Sequence, residues 1–147
     1  MNAEAVRQLQ ELLAQEIPLT RAMGVEVLDY DGYGLVLSAP LAPNINHEWT
    51  AFGGSLYTLL VLAGWGLLML RLREEIGDKH IVIQQGHVEY LRPVAKDFTA
   101  RASLPQDFER FLHTYRRHGR ARLVIEAVVP GEDGPAASFS GRYVVHR

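Results

Sequence analysis

Two asparagines and a glycine pair stand directly before the most apolar segment of the chain, in PNINHEWTAFGGSLYTLLVLAGW, residues 43–65. An asparagine amide is a neutral hydrogen-bond donor that needs no particular protonation state. If a helix begins at Gly53 or Gly54, the backbone N–H groups there are free donors at the positive end of the helix dipole. Glycine also lets a ligand approach the backbone closely. This combination suits stabilisation of negative charge that develops on an oxygen atom.

The side chains of this segment allow more than one interpretation. Asn46, by its spacing from the glycine pair, is the first candidate for the side-chain donor, and Asn44 is the second. Alternatively, both asparagines only stabilise a loop through hydrogen bonds to nearby backbone. Ser55 would need a base to act as an acyl nucleophile, and His47 is the nearest candidate, but Ser55 could instead cap the helix. His47 could also line the pocket or bind a substrate carboxylate.

Other reactive groups are sparse. His87 and Glu89 share one face of a predicted strand, either as an acid–base pair or as an ordinary polar pair. The six histidines show no spacing typical of metal ligands, and the chain has no cysteine, which excludes disulfides and thiolate catalysis. We therefore predict no metal and no cofactor. The formal net charge of −2 gives no bulk attraction to nucleic acid.

The surrounding pattern predicts the elements that position this segment. Apolar residues recur at helical spacing through residues 6–17, and Pro18 ends that helix. Two strands follow around a turn at Asp31-Gly32. The apolar run predicts a helix from about Gly54 to Ile76, with Thr50 or Ser55 as its cap and a glycine just beyond its end. It is shorter than a membrane span, so we expect a buried core helix.

Alternating patterns after this helix predict four more strands, over residues 80–94, 97–104, 120–129 and 136–147, with Gly86 as a candidate bulge. The whole chain, residues 1–147, is therefore predicted to be a single α+β domain. An antiparallel sheet of about six strands wraps around the long central helix, and an N-terminal helix is added. Edge strands need cover, so we expect a homodimer or a dimer of dimers. The N-terminus does not show a signal-peptide pattern, and a cytoplasmic location is expected.

This order of elements, together with the asparagine loop, the glycine pair and EYLRPV at residues 89–94, resembles the hotdog fold of acyl-thioester enzymes. The usual thioesterase motif has a histidine where this chain has Phe52 and a helix carboxylate where it has Val61. The loop and helix are more similar to a hotdog group catalogued as thioesterases, the YiiD C-terminal domain type. That group includes malonyl-ACP decarboxylases of the MadA/MadB type. The resemblance implies a standalone protein of the MadB type.

The resemblance also implies a function in fatty-acid metabolism, the decarboxylation of malonyl-ACP to acetyl-ACP. Asn46, with Asn44 as the runner-up, and the N–H groups of Gly53 and Gly54 would stabilise the enolate. The partner would be an acyl carrier protein or a CoA thioester, with no nucleic acid and no membrane span. Candidate substrate-binding residues are His47, Phe52, Ser55, Tyr57, Thr58, Arg92, Arg116 and Arg117.

The two last arginines belong to a basic segment, residues 113–122, that is either a solvated hairpin connection or a docking patch for carrier protein or CoA phosphates. Two other functions remain open. One is an acyl-CoA or acyl-ACP thioesterase, against which Val61 and the uncharged helix weigh. The other is a non-catalytic module that binds acyl thioesters, which the lack of an obvious base or nucleophile favours.

Overall fold

The computed structural model describes residues 2–147. These residues form four α-helices, six β-strands and one 3-10 turn at Ala42–Asn44. In chain order the elements are α1 Ala3–Glu16, α2 Leu19–Met23, β1 Glu26–Tyr30, β2 Gly34–Ala39, α3 Gly53–Ile76, β3 His80–Tyr90, β4 Phe98–Ser103, α4 Phe108–His118, β5 Arg120–Gly131 and β6 Gly134–His146.

The six strands form one antiparallel sheet in the order β1-β2-β4-β5-β6-β3. Along β5, buried and exposed side chains alternate strictly from Arg120 to Pro130, so one face of this strand looks into the core. The α+β architecture predicted above, with its six antiparallel strands, long helix and N-terminal helix, is therefore confirmed. The two strands at the edges of the sheet are β1 and β3.

The long helix α3 is the centre of the core. It packs against β2, β3, β4, β5 and β6, and α1 adds cover. The Tyr30 hydroxyl at the end of β1 donates to the Glu74 carboxylate of α3 at 2.9 Å. Its length and composition would suit a membrane span, but 61% of its most apolar window is buried inside the fold. The predicted buried core helix is confirmed. Two glycines let its neighbours come close, because a Cβ at Gly64 would meet Tyr143 and a Cβ at Gly66 would meet Leu35 at 2.7 Å.

The ends of α3 differ in part from the prediction. The helix begins at Gly53, one residue earlier than expected, and Phe52 is its N-cap residue. No side chain caps this end, so the expected cap at Thr50 or Ser55 is wrong. The glycine expected at the C-terminus is confirmed, since Gly77 ends the helix with a φ of 84°.

Two helices were not predicted. The short helix α2 follows Pro18, which is its N-cap residue. The basic segment, which was expected to be either a hairpin connection or a docking patch, begins inside a second helix, α4. The buried residues of α4 follow helical spacing, at Phe108, Phe111, Leu112 and Tyr115. The Arg71 guanidinium joins α4 to α3, because its carbon lies 5.1 Å from the Phe108 ring centroid.

The irregularity in β3 lies between Ile83 and Gln85, so the predicted bulge at Gly86 is wrong by one to three residues. The structure requires glycine at position 86 for a steric reason, because a Cβ there would collide with the Tyr57 hydroxyl. Strands β5 and β6 also run further than predicted, up to a tight turn at Glu132 and Asp133.

Gly64→Ala should destabilise the fold. The new methyl group would collide with Tyr143, which is fully buried and whose ring carbon Cζ would lie 2.9 Å away. Overpacking costs about 1–3 kcal/mol, and alanine returns about 1 kcal/mol of helix propensity, so we expect a net loss of about 1 kcal/mol. Urea unfolding measures this loss. In a double-mutant cycle with Tyr143→Phe, which removes the colliding oxygen, the two losses should not add, and strict additivity would contradict the packing argument.

Candidate active site

Asn44 anchors the loop that leads to α3. Its side chain is 3% exposed, and its amide nitrogen donates to the carbonyl oxygens of Met23, at 2.9 Å, and Pro40, at 2.8 Å. The Phe52 N–H donates to the Asn44 backbone oxygen at 2.7 Å. Both amide hydrogens are therefore in use within the protein. This arrangement argues against Asn44 as a donor to substrate and makes it a structural residue.

Asn46 closes the next turn of the loop. Its side-chain oxygen accepts the N–H groups of Glu48 and Thr50, at 2.9 and 3.1 Å. Its amide nitrogen donates to the Thr50 hydroxyl at 3.0 Å and makes only a long contact, 3.5 Å, with the Ala51 carbonyl oxygen. The hydrogen bonds of Asn46 are therefore those of a residue that stabilises the loop, which was the alternative to a role as donor to substrate. One amide hydrogen is held only by the long contact and is available for a stronger acceptor.

The glycine pair opens α3 with unused donors. In the described chain, neither the Gly53 nor the Gly54 N–H donates to another residue, whereas the next two amides, of Ser55 and Leu56, donate to the Phe52 carbonyl at 2.9 and 3.1 Å. The first N–H groups of a helix point out of its N-terminus, where the helix dipole is positive. These two amides are thus suited to an oxyanion.

A cavity of about 310 Å³ lies beside the glycine pair. It is lined by Ala51, Gly53, Leu56 and the segment Tyr90–Val94. The Tyr90 hydroxyl donates to the Gly53 carbonyl at 2.9 Å, and the Ala51 N–H donates to the Val94 carbonyl at 2.7 Å. These two bonds hold the end of β3 against the start of α3.

Tyr90 is a site residue that the sequence interpretation did not name, although it belongs to the EYLRPV motif that was quoted. Burial raises the pKa of Tyr90 above its usual range, and Tyr57 adds a smaller effect. The hydroxyl therefore stays protonated at neutral pH and continues to donate to Gly53.

The other predicted residues near the loop are placed differently. The His47 side chain is 85% exposed, and its partner is the Glu48 carboxylate at 3.4 Å, so no Ser55–His47 pair is formed. The ring of Phe52 covers Gly54, since a Cβ on that glycine would collide with it. Further along the helix, the Thr58 hydroxyl donates to the Gly54 carbonyl at 2.8 Å, and the Tyr57 ring packs edge-on against Phe139 at 5.7 Å.

The arginine candidates fall into two separate places. Arg92 lines the cavity beside the glycine pair. Arg116 and Arg117 lie in the last turn of α4. The first residue of this helix, Phe108, packs against Arg71 of α3. Because an α-helix rises 1.5 Å per residue, Arg71 lies about 27 Å from Gly53 along the axis of α3. The structure therefore brings Arg92 to the glycine pair and leaves the α4 arginines near the other end of the core helix.

Acids and bases are absent from most of α3. From Gly53 to Leu70 the sequence has no Asp, Glu, His, Lys or Arg. Val61 occupies the position expected for a thioesterase carboxylate, and its carbonyl accepts the Tyr143 hydroxyl at 2.7 Å. The His87 and Glu89 side chains lie 3.4 Å apart and are 74% and 61% exposed, which favours an ordinary polar pair. Within residues 2–147 no cluster of three metal-ligating side chains was found.

An antiparallel sheet of six strands packed around one long apolar helix is the hotdog architecture. The chain belongs to the family described as "Putative thioesterase (yiiD_Cterm)", which matches residues 6–147.

Solved structures agree with this assignment. A protein of unknown function from Chlorobaculum tepidum TLS is 33% identical with a TM-score of 0.93, covering 99% of this chain and 96% of that one. A protein from Shewanella oneidensis described as a putative thioesterase is 31% identical with a TM-score of 0.90, covering 99% of each chain. A thioesterase from Haemophilus influenzae, 18% identical with a TM-score of 0.73 over 95% of this chain and 89% of that one, shares the fold.

Asn44→Asp should destabilise the protein strongly. The carboxylate would face the Met23 and Pro40 carbonyls without a hydrogen to donate, so we expect a loss of at least about 2 kcal/mol in the free energy of unfolding. The matched control is Asn46→Asp, which keeps the oxygen that accepts from Glu48 and Thr50 and should cost less than about 1 kcal/mol. Denaturant unfolding compares the two variants, and equal losses would show that the loop bonds are not as described.

Proposed function

We propose that this protein is a malonyl-thioester decarboxylase of fatty-acid metabolism that converts malonyl-ACP to acetyl-ACP. The observation that carries the proposal is the free N–H pair at Gly53 and Gly54, at the start of a helix that has no acidic or basic side chain from Gly53 to Leu70. Decarboxylation of a malonyl thioester requires stabilisation of an anion, and it requires no nucleophile and no base.

The reaction breaks the bond between the α-carbon and the carboxylate carbon. Carbon dioxide leaves, and the electron pair of that bond passes into an enolate whose negative charge lies mainly on the thioester oxygen. The Gly53 and Gly54 amides donate to this oxygen. The α-carbon then takes a proton from water to give the acetyl thioester. The apolar wall of the cavity, which includes Leu56, strengthens these hydrogen bonds by excluding water.

Asn46 supplies the third donor in this proposal. Its amide hydrogen that makes only the long contact with Ala51 turns to the enolate oxygen, while the second hydrogen keeps its bond to Thr50. Ala51 lines the cavity, so this hydrogen is already close to the cavity wall. These donors are neutral, and the helix has no acidic side chain from Gly53 to Leu70, so no negative charge in this part of the helix repels the substrate carboxylate.

The second candidate function is hydrolysis of an acyl-CoA or acyl-ACP thioester. Its support is the family description and the likeness to the Shewanella oneidensis protein. Hydrolysis needs an activated water molecule or a nucleophile. Val61, at the position expected for a thioesterase carboxylate, can neither activate water nor attack the thioester. A thiol-release assay over a range of acyl chain lengths decides this point. Stoichiometric binding without turnover of any thioester would instead indicate a non-catalytic module.

Asn46→Asp should abolish most of the activity and leave the fold intact. The variant keeps the loop acceptor and loses the donor, so turnover of malonyl-ACP should fall about 100- to 1,000-fold. Mass spectrometry of malonyl-ACP after incubation measures acetyl-ACP directly and reports hydrolysis in the same spectrum. Glu48→Gln, an exposed change in the same loop, is the control and should retain activity. Intact malonyl-ACP after prolonged incubation with the unaltered protein would refute decarboxylation.

We also propose that two copies of the chain pair through β3. This strand is the sheet edge next to β6, and it carries the exposed apolar residues Val82 and Ile83. Trp49 and Phe52, beside the glycine pair, are also exposed, at 77% and 57%. Antiparallel pairing of two β3 strands around a twofold axis would continue the sheet and remove this apolar surface from water.

Ile83→Asp should convert the dimer to a monomer, because it places a charge on the surface that the pairing buries. Val124→Asp is the matched control, since Val124 is 48% exposed on the outer face of β5 and is separated from β3 by strand β6. If the unaltered protein is a tetramer and the Val124 variant is a dimer, the outer face of the sheet is the contact between two dimers. Analytical ultracentrifugation gives the masses, and a monomeric unaltered protein would contradict the pairing.

A further inference from the structure

Positive charge is unevenly distributed along the chain. The segments 79–88, 110–125 and 134–147 hold eight of the fifteen Lys and Arg residues, five of the six histidines and none of the seventeen acidic residues. The rest of the chain has seven basic residues beside all seventeen acidic ones. A protein with a formal net charge of −2 therefore has one strongly basic region, which suits attraction of an acidic partner.

The fold brings these three segments together. Arg120 of β5 pairs with His146 of β6, which pairs with His80 of β3, and the two imidazole rings stack at 5.2 Å. The Arg147 side chain lies over Gly119, the C-cap residue of α4, since a Cβ there would be 2.8 Å from its Nε atom. We call this surface the basic patch, and its members are Lys79, His80, Arg116, Arg117, His118, Arg120, His146 and Arg147.

The basic patch is unpaired and wide. Its four arginines are exposed, and the arginine ion pairs of the described chain are all made elsewhere, at Arg7, Arg71, Arg73 and Arg92. It covers three strands about 4.8 Å apart and the end of α4, so it is more than about 10 Å wide. One phosphate group cannot contact all of it. The acidic face of a helix, with carboxylates at every turn of about 5.4 Å, can.

The basic patch is far from the glycine pair of its own chain. It includes His80, the first residue of β3, whereas Tyr90, the last residue of β3, is bonded to Gly53 at 2.9 Å. These two ends of β3 are about 33 Å apart at about 3.3 Å per residue. The arm of a holo carrier protein has about 13 bonds from phosphorus to sulfur and reaches only about 16 Å when extended.

Pairing of two copies through β3 shortens this distance. A twofold axis at Gln85, the middle of the strand, places His80 of one copy opposite Tyr90 of the partner subunit, about 4.8 Å away. Arg120 lies two strands further from that boundary, about 15 Å from the partner subunit's Tyr90. The patch of one copy is therefore within reach of the glycine pair of the other.

We infer that the basic patch docks an acidic face of the acyl carrier protein, and that the patch of each copy serves the glycine pair of the other copy. This inference rests on the proposed function and on pairing through β3. The patch attracts and holds the carrier protein, and the arm carries the thioester across the subunit boundary to Gly53 and Gly54. Docking and chemistry are thus divided between two copies of the chain.

Fluorescence anisotropy of labelled holo acyl carrier protein, with the full chain, tests the docking. In Arg117→Gln/Arg120→Gln the affinity should fall about tenfold, because two exposed cations of the patch are lost. Arg21→Gln/Arg101→Gln removes two exposed arginines outside the patch and should bind like the unaltered protein. Binding to the unaltered protein should weaken at about 1 M salt, where the Debye length is about 3 Å. Equal affinities of the two variants, or no dependence on salt, overturn the inference.

Cross-linking tests which copy the patch serves. The chain has no cysteine, so Ser55→Cys places a single thiol next to Gly54. A carrier protein with a bromoacetyl group at the end of its arm alkylates this thiol, the sulfur displacing bromide, when the arm reaches the glycine pair. Two mixed dimers are purified through two affinity tags. They carry the cysteine on one copy and Arg117→Gln/Arg120→Gln either on the same copy or on the other.

Alkylation should be about tenfold slower only when the patch variant is on the copy without the cysteine. Slowing only in the other arrangement, equal slowing in both or slowing in neither overturns the inference, as does no alkylation of Ser55→Cys with an intact patch. The alkylation needs no turnover. Patch-dependent alkylation without decarboxylation of malonyl-ACP therefore counts against the proposed function alone. Decarboxylation with an unchanged KM in Arg117→Gln/Arg120→Gln counts against the basic patch alone.

Discussion

The apolar side chains of α3 point in every direction around the helix axis, and all of them must be removed from water. Leu59, Leu60, Leu67 and Leu68 have no exposed surface, and each fully buried leucine contributes about 1.5–3 kcal/mol. No single flat layer can cover such a helix. The sheet therefore curves around α3, and α1 adds cover against it. Gly64 and Gly66 allow Tyr143 and Leu35 to approach the helix backbone closely.

The N-terminus of α3 is polar for a different reason from its charged last turns, because its polar groups are backbone N–H groups. A helix with an apolar surface still has unpaired N–H groups in its first turn, and those of Gly53 and Gly54 meet no protein acceptor in the described chain. Strand β3 ends beside them, and the Tyr90 hydroxyl joins it to Gly53. The site is therefore a direct result of the packing, since its donors are the end of the element around which the core is built.

Hydrophobic periodicity was sufficient to predict α3 and the six strands, although β3 has only one buried residue, Ile81, among its eleven. The pattern of α4 was also visible in the sequence, at Phe108, Phe111, Leu112 and Tyr115, but no helix was predicted there. A sequence pattern could not distinguish the role of Asn44 from that of Asn46. Asn44 is fixed by carbonyls of Met23 and Pro40, and contacts between distant segments leave no local pattern. For the same reason, sequence alone could not show that Arg92 lies at the cavity while Arg116 lies near the other end of α3.

The absence of a base from α3 has a consequence for chemical selectivity. A carboxylate or imidazole at the position of Val61 would activate water, and activated water attacks any thioester held at the glycine pair, including a reaction product. With valine there, the site can stabilise an oxyanion but has no side chain at this position that could direct a water molecule at the thioester carbonyl. A thioester that forms in such a site leaves it with its energy-rich bond intact, ready for a subsequent acyl transfer.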